Sequence, residues 1–210
     1  LMNFKNLFRR HTCFLIVMMM FSFKSIAADT FLIFGDSLSA GYRLPIESAW
    51  AQRLADKWKL TYPEINVVNA SISGETAFQG QNRLPDLLKQ HQPRWVLIEL
   101  GANDGLQGYP VAQTKEALQN IITQVKEAGA TPLFMQIMIS PNYGKRYTQS
   151  FSAIYPQLAK DNALELIPFY MEQIADKPEW MQNDSIHPNE AAQPFIAQWM
   201  DKTLSPYLTR

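Results

Sequence analysis

The sequence predicts an α/β fold in which a parallel sheet is covered by helices on both faces. The first observation is five short runs of apolar, β-branched and aromatic residues without polar alternation, which is typical of strands buried on both faces. The second is that stretches with helical spacing separate these runs, as in successive strand–helix–strand units. The predicted strands are residues 30–34, 65–68, 95–100, 132–139 and 164–168.

Two of the intervening helices have a clear apolar stripe. In the first, apolar residues recur at intervals of three and four from Leu118 to Ala128, and Gly129 follows as a stop signal. The second has the same spacing from Phe195 to Leu204. Weaker helical patterns cover residues 50–59, 84–90 and 147–161. We find no internal repeat, linker or low-complexity tract, so a single domain over residues 28–210 is the simplest prediction.

Residues 1–27 are predicted to be a signal peptide. A basic start that includes Arg9 and Arg10 precedes an apolar run over residues 13–23, and small residues lead up to Ala27. The apolar run has eleven residues, whereas a helix that spans a bilayer needs about 20. We therefore expect cleavage after Ala27 or Ala28, no stable membrane anchor afterwards, and a periplasmic or secreted protein of a Gram-negative bacterium.

Removal of the signal peptide changes the charge and the set of reactive residues. The whole chain has 19 basic and 19 acidic residues, and the exported part keeps 15 basic and 19 acidic residues, a net charge of −4. This charge gives no support for nucleic-acid binding. The only cysteine, Cys13, leaves with the signal, which excludes an internal disulfide framework and a cysteine-based zinc site. Of the histidines, only His91 and His187 remain.

Four polar clusters lie where a parallel α/β sheet places its ligands, beyond the carboxyl ends of the strands or before the last helix. They are residues 35–41, 69–76, 101–105 and 184–188. Taken singly, each cluster also fits an ordinary turn or helix cap, because Gly, Asn, Asp and Ser are common there. Taken together, they supply a serine, a histidine, a nearby carboxylate and several amide donors.

This set of residues suits nucleophilic catalysis. A serine hydroxyl is a weak nucleophile at neutral pH and needs an adjacent base. Ser37 is the candidate nucleophile and His187 the candidate base. Asp184 precedes His187 by three residues, close enough in a turn to orient the imidazole and stabilise its protonated form. The other histidine, His91, lies at the polar end of a predicted helix, where a solvated position is the simpler interpretation.

The same clusters contain donors for an oxyanion hole. A tetrahedral oxyanion needs preorganised N–H groups, each worth about 3–4 kcal/mol. The backbone amides of Ser37 and Gly74 and the side-chain amide of Asn103 are the candidates. Gly74 has no side chain, so its backbone is free to approach a substrate closely.

Other chemistries find little support in the sequence. There is no Gly-x-Gly-x-x-Gly motif, no phosphate-binding loop and no pair of histidines with metal-ligand spacing. The Gly-x-Ser-x-Gly elbow of α/β-hydrolases is also missing, because position 39 is a serine. The proposed chemistry requires neither a metal nor a cofactor.

The four clusters, in this order, resemble the GDSL, or SGNH, hydrolase family. Gly35-Asp36-Ser37-Leu38-Ser39 is similar to the first block of the family, and Gly74 matches the glycine of the second. Gly101-Ala102-Asn103-Asp104 is similar to the third block, and Asp184-x-x-His187 to the fifth. The resemblance covers essentially the whole exported chain and is strongest to members with thioesterase, arylesterase and lysophospholipase activities.

The resemblance implies more than the motifs alone. It implies a flavodoxin-like three-layer αβα sandwich with five parallel strands, and the catalytic and oxyanion roles named above. It also implies that the loop after Asn103, about residues 105–110, shifts when acyl chains bind, with Gly105 and Leu106 as substrate-binding candidates. Ile139 and Ser140 stand where relatives carry a Leu-Pro pair beside the acyl site, which leaves the preferred chain length open.

We therefore expect a monomeric serine esterase that acts on small-molecule esters and thioesters of acyl chains. Two alternatives stay open at this point. One is a carbohydrate O-acetylesterase that acts on cell-envelope sugars, which would prefer acetyl groups. The other is a non-catalytic binding module on the same scaffold, although such a module has no need for Ser37, Asp184 and His187 together.

Overall fold

A five-stranded sheet forms the centre of the computed structural model, which describes residues 29–208. Its strands are all parallel and have the order β2-β1-β3-β4-β5. The strands are β1 (Asp29–Gly35), β2 (Ile65–Asn69), β3 (Trp95–Glu99), β4 (Thr131–Met135) and β5 (Leu166–Ile167). The predicted parallel sheet is therefore confirmed.

Helices cover the sheet on both sides. They are α1 (Ser37–Ala40), α2 (Trp50–Thr61), α3 (Ala77–His91), α4 (Ala102–Leu106), α5 (Val111–Glu127), α6 (Lys145–Asp161) and α7 (Gln193–Leu208). Helix α2 packs against α7, whereas α3 packs against α5 and α5 against α6. Because parallel crossovers are right-handed, these two groups lie on opposite faces of the sheet. The predicted three-layer αβα sandwich is thus confirmed.

The core lies on both faces of the central strands. All five residues of β3 are buried, and Phe31 and Phe34 of β1 are inaccessible to solvent. Phe31 packs edge-on against Trp58 of α2 with ring centroids 5.0 Å apart. Phe134 of β4 stacks on Tyr155 of α6 at 5.4 Å. Burial of each such side chain contributes about 2–3 kcal/mol, which holds both helical layers to the sheet.

The strand order also locates the functional edge of the sheet. Strand β1 has β2 on one side and β3 on the other. The chain therefore adds strands outward from β1 in opposite directions, and the strand order reverses between β1 and β3. In open α/β sheets, the crevice beyond the carboxyl ends of strands at such a switch point is where ligands bind. The residues that follow Gly35 and Glu99 lie at this point.

Several predicted boundaries differ from the observed ones, and three of the differences have a clear physical reason. Strand β4 ends at Met135 and not at residue 139, because its neighbour β5 has only two residues and offers no further partner. Strand β5 ends before Pro168, which has no backbone N–H to donate. Helix α3 begins at Ala77, seven residues earlier than predicted, behind a capping box formed by Thr76 and Gln79.

The predicted signal peptide, residues 1–27, lies outside the described residues. Within residues 29–208, no helix is both long enough and apolar enough to cross a membrane.

Candidate active site

Three of the four polar clusters, residues 35–41, 101–105 and 184–188, line a cavity of about 470 Å³ at the carboxyl edge of the sheet. The cluster at residues 69–76, which includes Gly74, contributes no residue to its lining. Ser37, Asn103 and His187 all line this cavity. A cavity of this size is within the range of small-molecule sites. The fold thus brings three sequence-predicted residues, from distant parts of the chain, to one opening.

Ser37 is the first residue of α1, a helix of only four residues that follows β1 directly. The side chain of Asp36 caps the helix by accepting a hydrogen bond from the Leu38 amide at 3.1 Å. Gly41 closes the helix in the left-handed region, at φ 73°. The backbone N–H of Ser37 belongs to the first turn, whose donors have no acceptor within the helix. It is therefore a candidate donor to a substrate oxyanion.

Ser37, His187 and Asp184 form one chain of hydrogen bonds. His187 Nε2 lies 2.9 Å from Ser37 Oγ, and His187 Nδ1 lies 2.8 Å from Asp184 Oδ2. With the proton on Nδ1, the imidazole donates to the carboxylate and accepts from the serine hydroxyl. The structure therefore brings together the three residues that the sequence predicts as nucleophile, base and orienting acid.

Asp184 is held in its ionised form. Partial burial acts to raise its pKa, but hydrogen bonds from the backbone amides of His187 and Ile186 and the contact with the imidazole outweigh that effect. Together they lower the pKa of Asp184 to about 2. Because an ionised Asp184 accepts the Nδ1 proton, it selects the tautomer in which Nε2 is free to act as a base.

The segment that carries His187 is anchored on both sides. Gln182 N donates to the His187 carbonyl at 2.8 Å, and its side-chain amide donates to the Tyr42 carbonyl at 2.9 Å. Met181 and Pro188 form an antiparallel bridge. The Tyr42 ring lies against the imidazole, with ring centroids 4.4 Å apart. These contacts fix the position of His187 although the segment is largely exposed.

The predicted oxyanion donors differ in their surroundings. Asn103 lies in α4, and its Nδ2 donates to the Glu75 carbonyl at 3.0 Å and to Asp36 Oδ2 at 3.2 Å. A substrate oxyanion would have to replace one of these acceptors, of which the more distant is Asp36. Gly74 lies in the exposed loop after β2 at φ 83°, and a Cβ there would meet no atom within 4 Å. The left-handed backbone therefore favours glycine at this position, whereas close packing does not require it.

The cavity beside the triad has a mainly apolar wall. Leu106, Ile139 and Ser140 line it, as the resemblance implied, but Gly105 does not. Gly105 is buried behind the wall, where a Cβ would lie 2.8 Å from Ile139 Cγ2. Its lack of a side chain thus makes room for Ile139, and the structure places Gly105 behind the wall and not in it.

The sequence-based prediction missed several other lining residues of the cavity. The missed apolar lining residues are Met138, Pro141, Phe169, Met171, Ala175 and Ile186. Phe169 and Met171 follow the carboxyl end of β5. The rule that residues after the carboxyl ends of parallel strands contact ligands applies to them as well. Their side chains are apolar, so no polar motif marks them in the sequence.

A second feature that the sequence analysis missed is a layer of buried carboxyl groups beneath the nucleophile, which we call the acid layer: Asp36, Glu99 and Asp104. All three side chains are almost completely buried. Burial raises the pKa of Asp36 to about 7, with further contributions from the charges of Asp104 and Glu75. Burial also raises the pKa values of Glu99 and Asp104. Among the described residues, no group of His, Cys, Asp and Glu is arranged to hold a metal ion.

Comparison with known proteins agrees with this geometry. The GDSL-like lipase/acylhydrolase family matches residues 33–193. The chain is 57% identical over 206 residues to the Escherichia coli protein named thioesterase 1/protease 1/lysophospholipase L1. The aligned region covers 98% of this chain and 97% of the relative. It is 45% identical over 194 residues to an arylesterase of Vibrio mimicus, and that alignment covers 92% of this chain and 97% of the arylesterase.

A solved structure agrees as well. The crystal structure of a psychrotrophic esterase from a Pseudoalteromonas species, inhibited by monoethylphosphonate, superposes with a TM-score of 0.84 at 43% identity. The match covers 87% of this chain and 100% of the esterase. Sequence motifs, fold and relatives therefore agree, and the chain belongs to the GDSL-like lipase/acylhydrolase family.

Proposed function

We propose that this protein is a serine hydrolase that cleaves carboxylic esters and thioesters of acyl chains, with Ser37 as nucleophile, His187 as general base and acid, and Asp184 as the orienting acid. The observation that carries the proposal is the hydrogen-bonded chain from Ser37 Oγ through His187 to Asp184, at 2.9 and 2.8 Å, beside the apolar cavity. The enzyme needs no metal or cofactor for this reaction.

The reaction has two steps. Ser37 Oγ attacks the carbonyl carbon while His187 Nε2 takes the serine proton, and an oxyanion forms on the carbonyl oxygen. The backbone amides of Ser37 and Gly74 and the side chain of Asn103 are the proposed donors to that oxyanion. The tetrahedral intermediate breaks the bond to the leaving oxygen or sulfur, which receives the proton from His187. Water then hydrolyses the acyl-enzyme by the same steps, with His187 as base.

The cavity supports an acyl chain as the group that is transferred. Its wall includes Leu106, Met138 and Ile139, whose side chains offer apolar contact and no charge to a ligand. The names of the relatives, thioesterase, lysophospholipase and arylesterase, cover oxygen esters and thioesters. Both use the same nucleophile and the same oxyanion donors, so one site serves both.

Covalent labelling tests the nucleophile. We expect a fluorophosphonate probe to label the wild-type protein and to leave Ser37→Ala unlabelled, because only an activated serine attacks the phosphorus atom. Ser140→Ala is the matched control, since Ser140 lines the same cavity without a contact to the triad. Absence of labelling in the wild-type protein would contradict the proposal and favour a binding module. Loss of labelling in Ser140→Ala and not in Ser37→Ala would also contradict it.

A series of p-nitrophenyl esters from acetate to dodecanoate tests the substrate class. The apolar cavity predicts a higher kcat/KM for octanoate than for acetate, since each buried methylene group contributes about 1 kcal/mol. A preference for acetate would contradict the acyl-chain proposal and favour a carbohydrate O-acetylesterase.

We also propose that residues 1–27 direct export and that the exported enzyme is a monomer in the periplasm. The support is the basic, apolar and small-residue layout of this segment. Expression of the chain with and without residues 2–27 tests export, because activity should appear in the periplasmic fraction only when the segment is present. Light scattering of the purified exported form tests the monomer.

A further inference from the structure

Glu99 is a buried acid that the proposed reaction does not use. It is the last residue of β3, opposite Gly35 in the register with β1, and its side chain is inaccessible to solvent. Its Oε2 accepts a hydrogen bond from the Ser39 hydroxyl, and its Oε1 has no hydrogen-bond partner. A Cβ on Gly35 would lie 2.7 Å from Oε2, so the carboxyl group fills the space directly beneath the turn that carries Ser37.

The surroundings of Glu99 do not suit a negative charge. Within residues 29–208, no basic side chain forms an ion pair with it. The titratable groups that face Glu99 are Asp36, Tyr155 and Tyr170, none of which carries a positive charge. An ionised carboxylate would thus be buried without compensation, which is strongly unfavourable. Burial, with the charge of Asp36, accordingly raises the pKa of Glu99 well above its usual range.

The hydrogen bond to Ser39 acts on α1. This helix has only four residues, too few to be stable by itself, so its position depends on tertiary contacts. Ser39 is held from two sides, because its hydroxyl bonds to Glu99 and its carbonyl accepts from Asn69 Nδ2 at 2.8 Å. Ser37 lies two residues earlier in the same turn and must remain 2.9 Å from His187 Nε2.

We propose that Glu99 is a positioning residue that acts as a neutral carboxylic acid: it holds the Ser39 hydroxyl and so fixes the helical turn from which Ser37 attacks. The proposal rests on the proposed role of Ser37 as nucleophile. It requires the hydrogen-bonding shape of the Glu99 side chain and not its charge, so a neutral side chain of the same shape is expected to replace it.

The experiment compares Glu99→Gln, Glu99→Ala and Ser39→Ala with the wild-type enzyme, using a p-nitrophenyl ester and fluorophosphonate labelling. Glutamine keeps an acceptor for Ser39, so we expect its kcat at pH 7 to stay within about threefold of wild type. Glu99→Ala and Ser39→Ala both remove the hydrogen bond, and we expect each to lower kcat and the labelling rate about tenfold while KM changes less than twofold. Glu127→Gln, at the exposed end of α5, is the control for loss of a carboxylate.

The pH profile separates positioning from simple stabilisation of the fold. In the wild-type enzyme, deprotonation of Glu99 at alkaline pH would place a second negative charge beside Asp36 and disturb α1. We therefore expect kcat to fall at alkaline pH in the wild type and to persist to higher pH in Glu99→Gln. The tyrosines do not account for this difference, because burial raises the pKa values of Tyr155 and Tyr170 well above their usual range.

Several outcomes would overturn the proposal. If Glu99→Gln loses as much activity as Glu99→Ala, the negative charge is needed. If Glu99→Ala and Ser39→Ala both retain wild-type kcat, the hydrogen bond does not position Ser37. If kcat falls at the same alkaline pH in the wild type and in Glu99→Gln, Glu99 is not the titrating group. Should Glu99→Ala fail to fold, Ser39→Ala decides. Absence of labelling in the wild type would instead refute the proposed function, so the two failures are distinguishable.

Discussion

Two acids close to Ser37 and His187 have opposite properties. Asp184 belongs to the triad loop, residues 181–189, where 30% of its side chain remains accessible, and its pKa is lowered to about 2. Asp36 belongs to the acid layer, is almost completely buried, and has its pKa raised to about 7. Both residues are aspartates. Asp36 directly precedes Ser37 in the chain, and Asp184 precedes His187 by three residues.

The difference follows from hydration and from the number of donors. Asp184 keeps contact with water and accepts hydrogen bonds from two backbone amides and an imidazole. Asp36 has lost its water and accepts from one backbone amide and one side-chain amide. The ionised acid thus stabilises a cationic histidine, whereas Asp36 in its protonated form adds no negative charge close to a developing oxyanion. Each region uses the charge state that the proposed transition state favours.

The largest expected effect comes from neutralising the ionised acid of the triad loop. Asp184→Asn keeps the shape of the side chain but no longer selects the Nδ1–H tautomer of His187, so we expect kcat to fall about 10³- to 10⁴-fold. Steady-state kinetics with a p-nitrophenyl ester checks this, with circular dichroism as the control for folding. A loss of less than tenfold would show that Asp184 does not orient the base.

The next effect is a dependence of stability on pH that arises in the acid layer. Asp36 binds its proton more tightly in the folded protein, so its contribution to stability is complete below the unfolded pKa of about 4 and is lost as the pH rises through about 7. A shift of this size corresponds to at most about 4 kcal/mol. We expect Asp36→Asn, which cannot titrate, to gain stability relative to wild type between pH 4 and pH 8.

Urea unfolding of both proteins at several pH values measures this difference directly. The readout is how the difference in free energy of unfolding between the two proteins changes with pH. A constant loss of stability from the altered helix cap therefore does not affect the conclusion. A difference that stays constant or changes in the opposite direction would contradict the raised pKa of Asp36.

The same comparison explains which parts of the site were predictable from sequence. The triad loop is a local motif, because Asp184 and His187 are three residues apart and the turn between them sets their contact. Ser37 and Asn103 were predictable because each follows the carboxyl end of a predicted parallel strand. Such ends meet at one edge of the sheet, so their proximity could be predicted without the structure. The five strands were found because continuous apolar runs suit a sheet that is covered on both faces.

The acid layer was not predictable in the same way. Glu99 lies near the end of the apolar run 95–100, where a carboxylate usually marks the return of the chain to solvent. Its burial depends on the packing of β3 beside β1 and on the turn above it, neither of which is local in sequence. The end of β4 was missed for a related reason, since it depends on the length of the neighbouring strand.

A smaller effect is expected at Asn103, which lines the cavity and donates to Asp36 of the acid layer. Removal of one oxyanion donor typically costs about 10²- to 10³-fold in kcat. We expect this loss in Asn103→Ala, with KM changed less than about threefold because the donor acts mainly in the transition state. Equal effects on kcat for octanoate and acetate esters would agree with this role. An increase in KM with unchanged kcat would contradict it and place Asn103 in ground-state binding.

The smallest effect should come from a change in the cavity wall that leaves both acid regions intact. Ile139→Ala removes three side-chain carbon atoms from the wall, and we expect the partial loss of their contact with an acyl chain to lower kcat/KM for octanoate about tenfold. The acetate ester does not reach the wall, so its kcat/KM should stay within about twofold. Ile46→Ala is the matched control, because Ile46 is 74% exposed and does not line this cavity. Equal losses for both esters would mean that Ile139 supports the triad and not the acyl chain, and the separation between catalytic groups and chain-length selection would then fail.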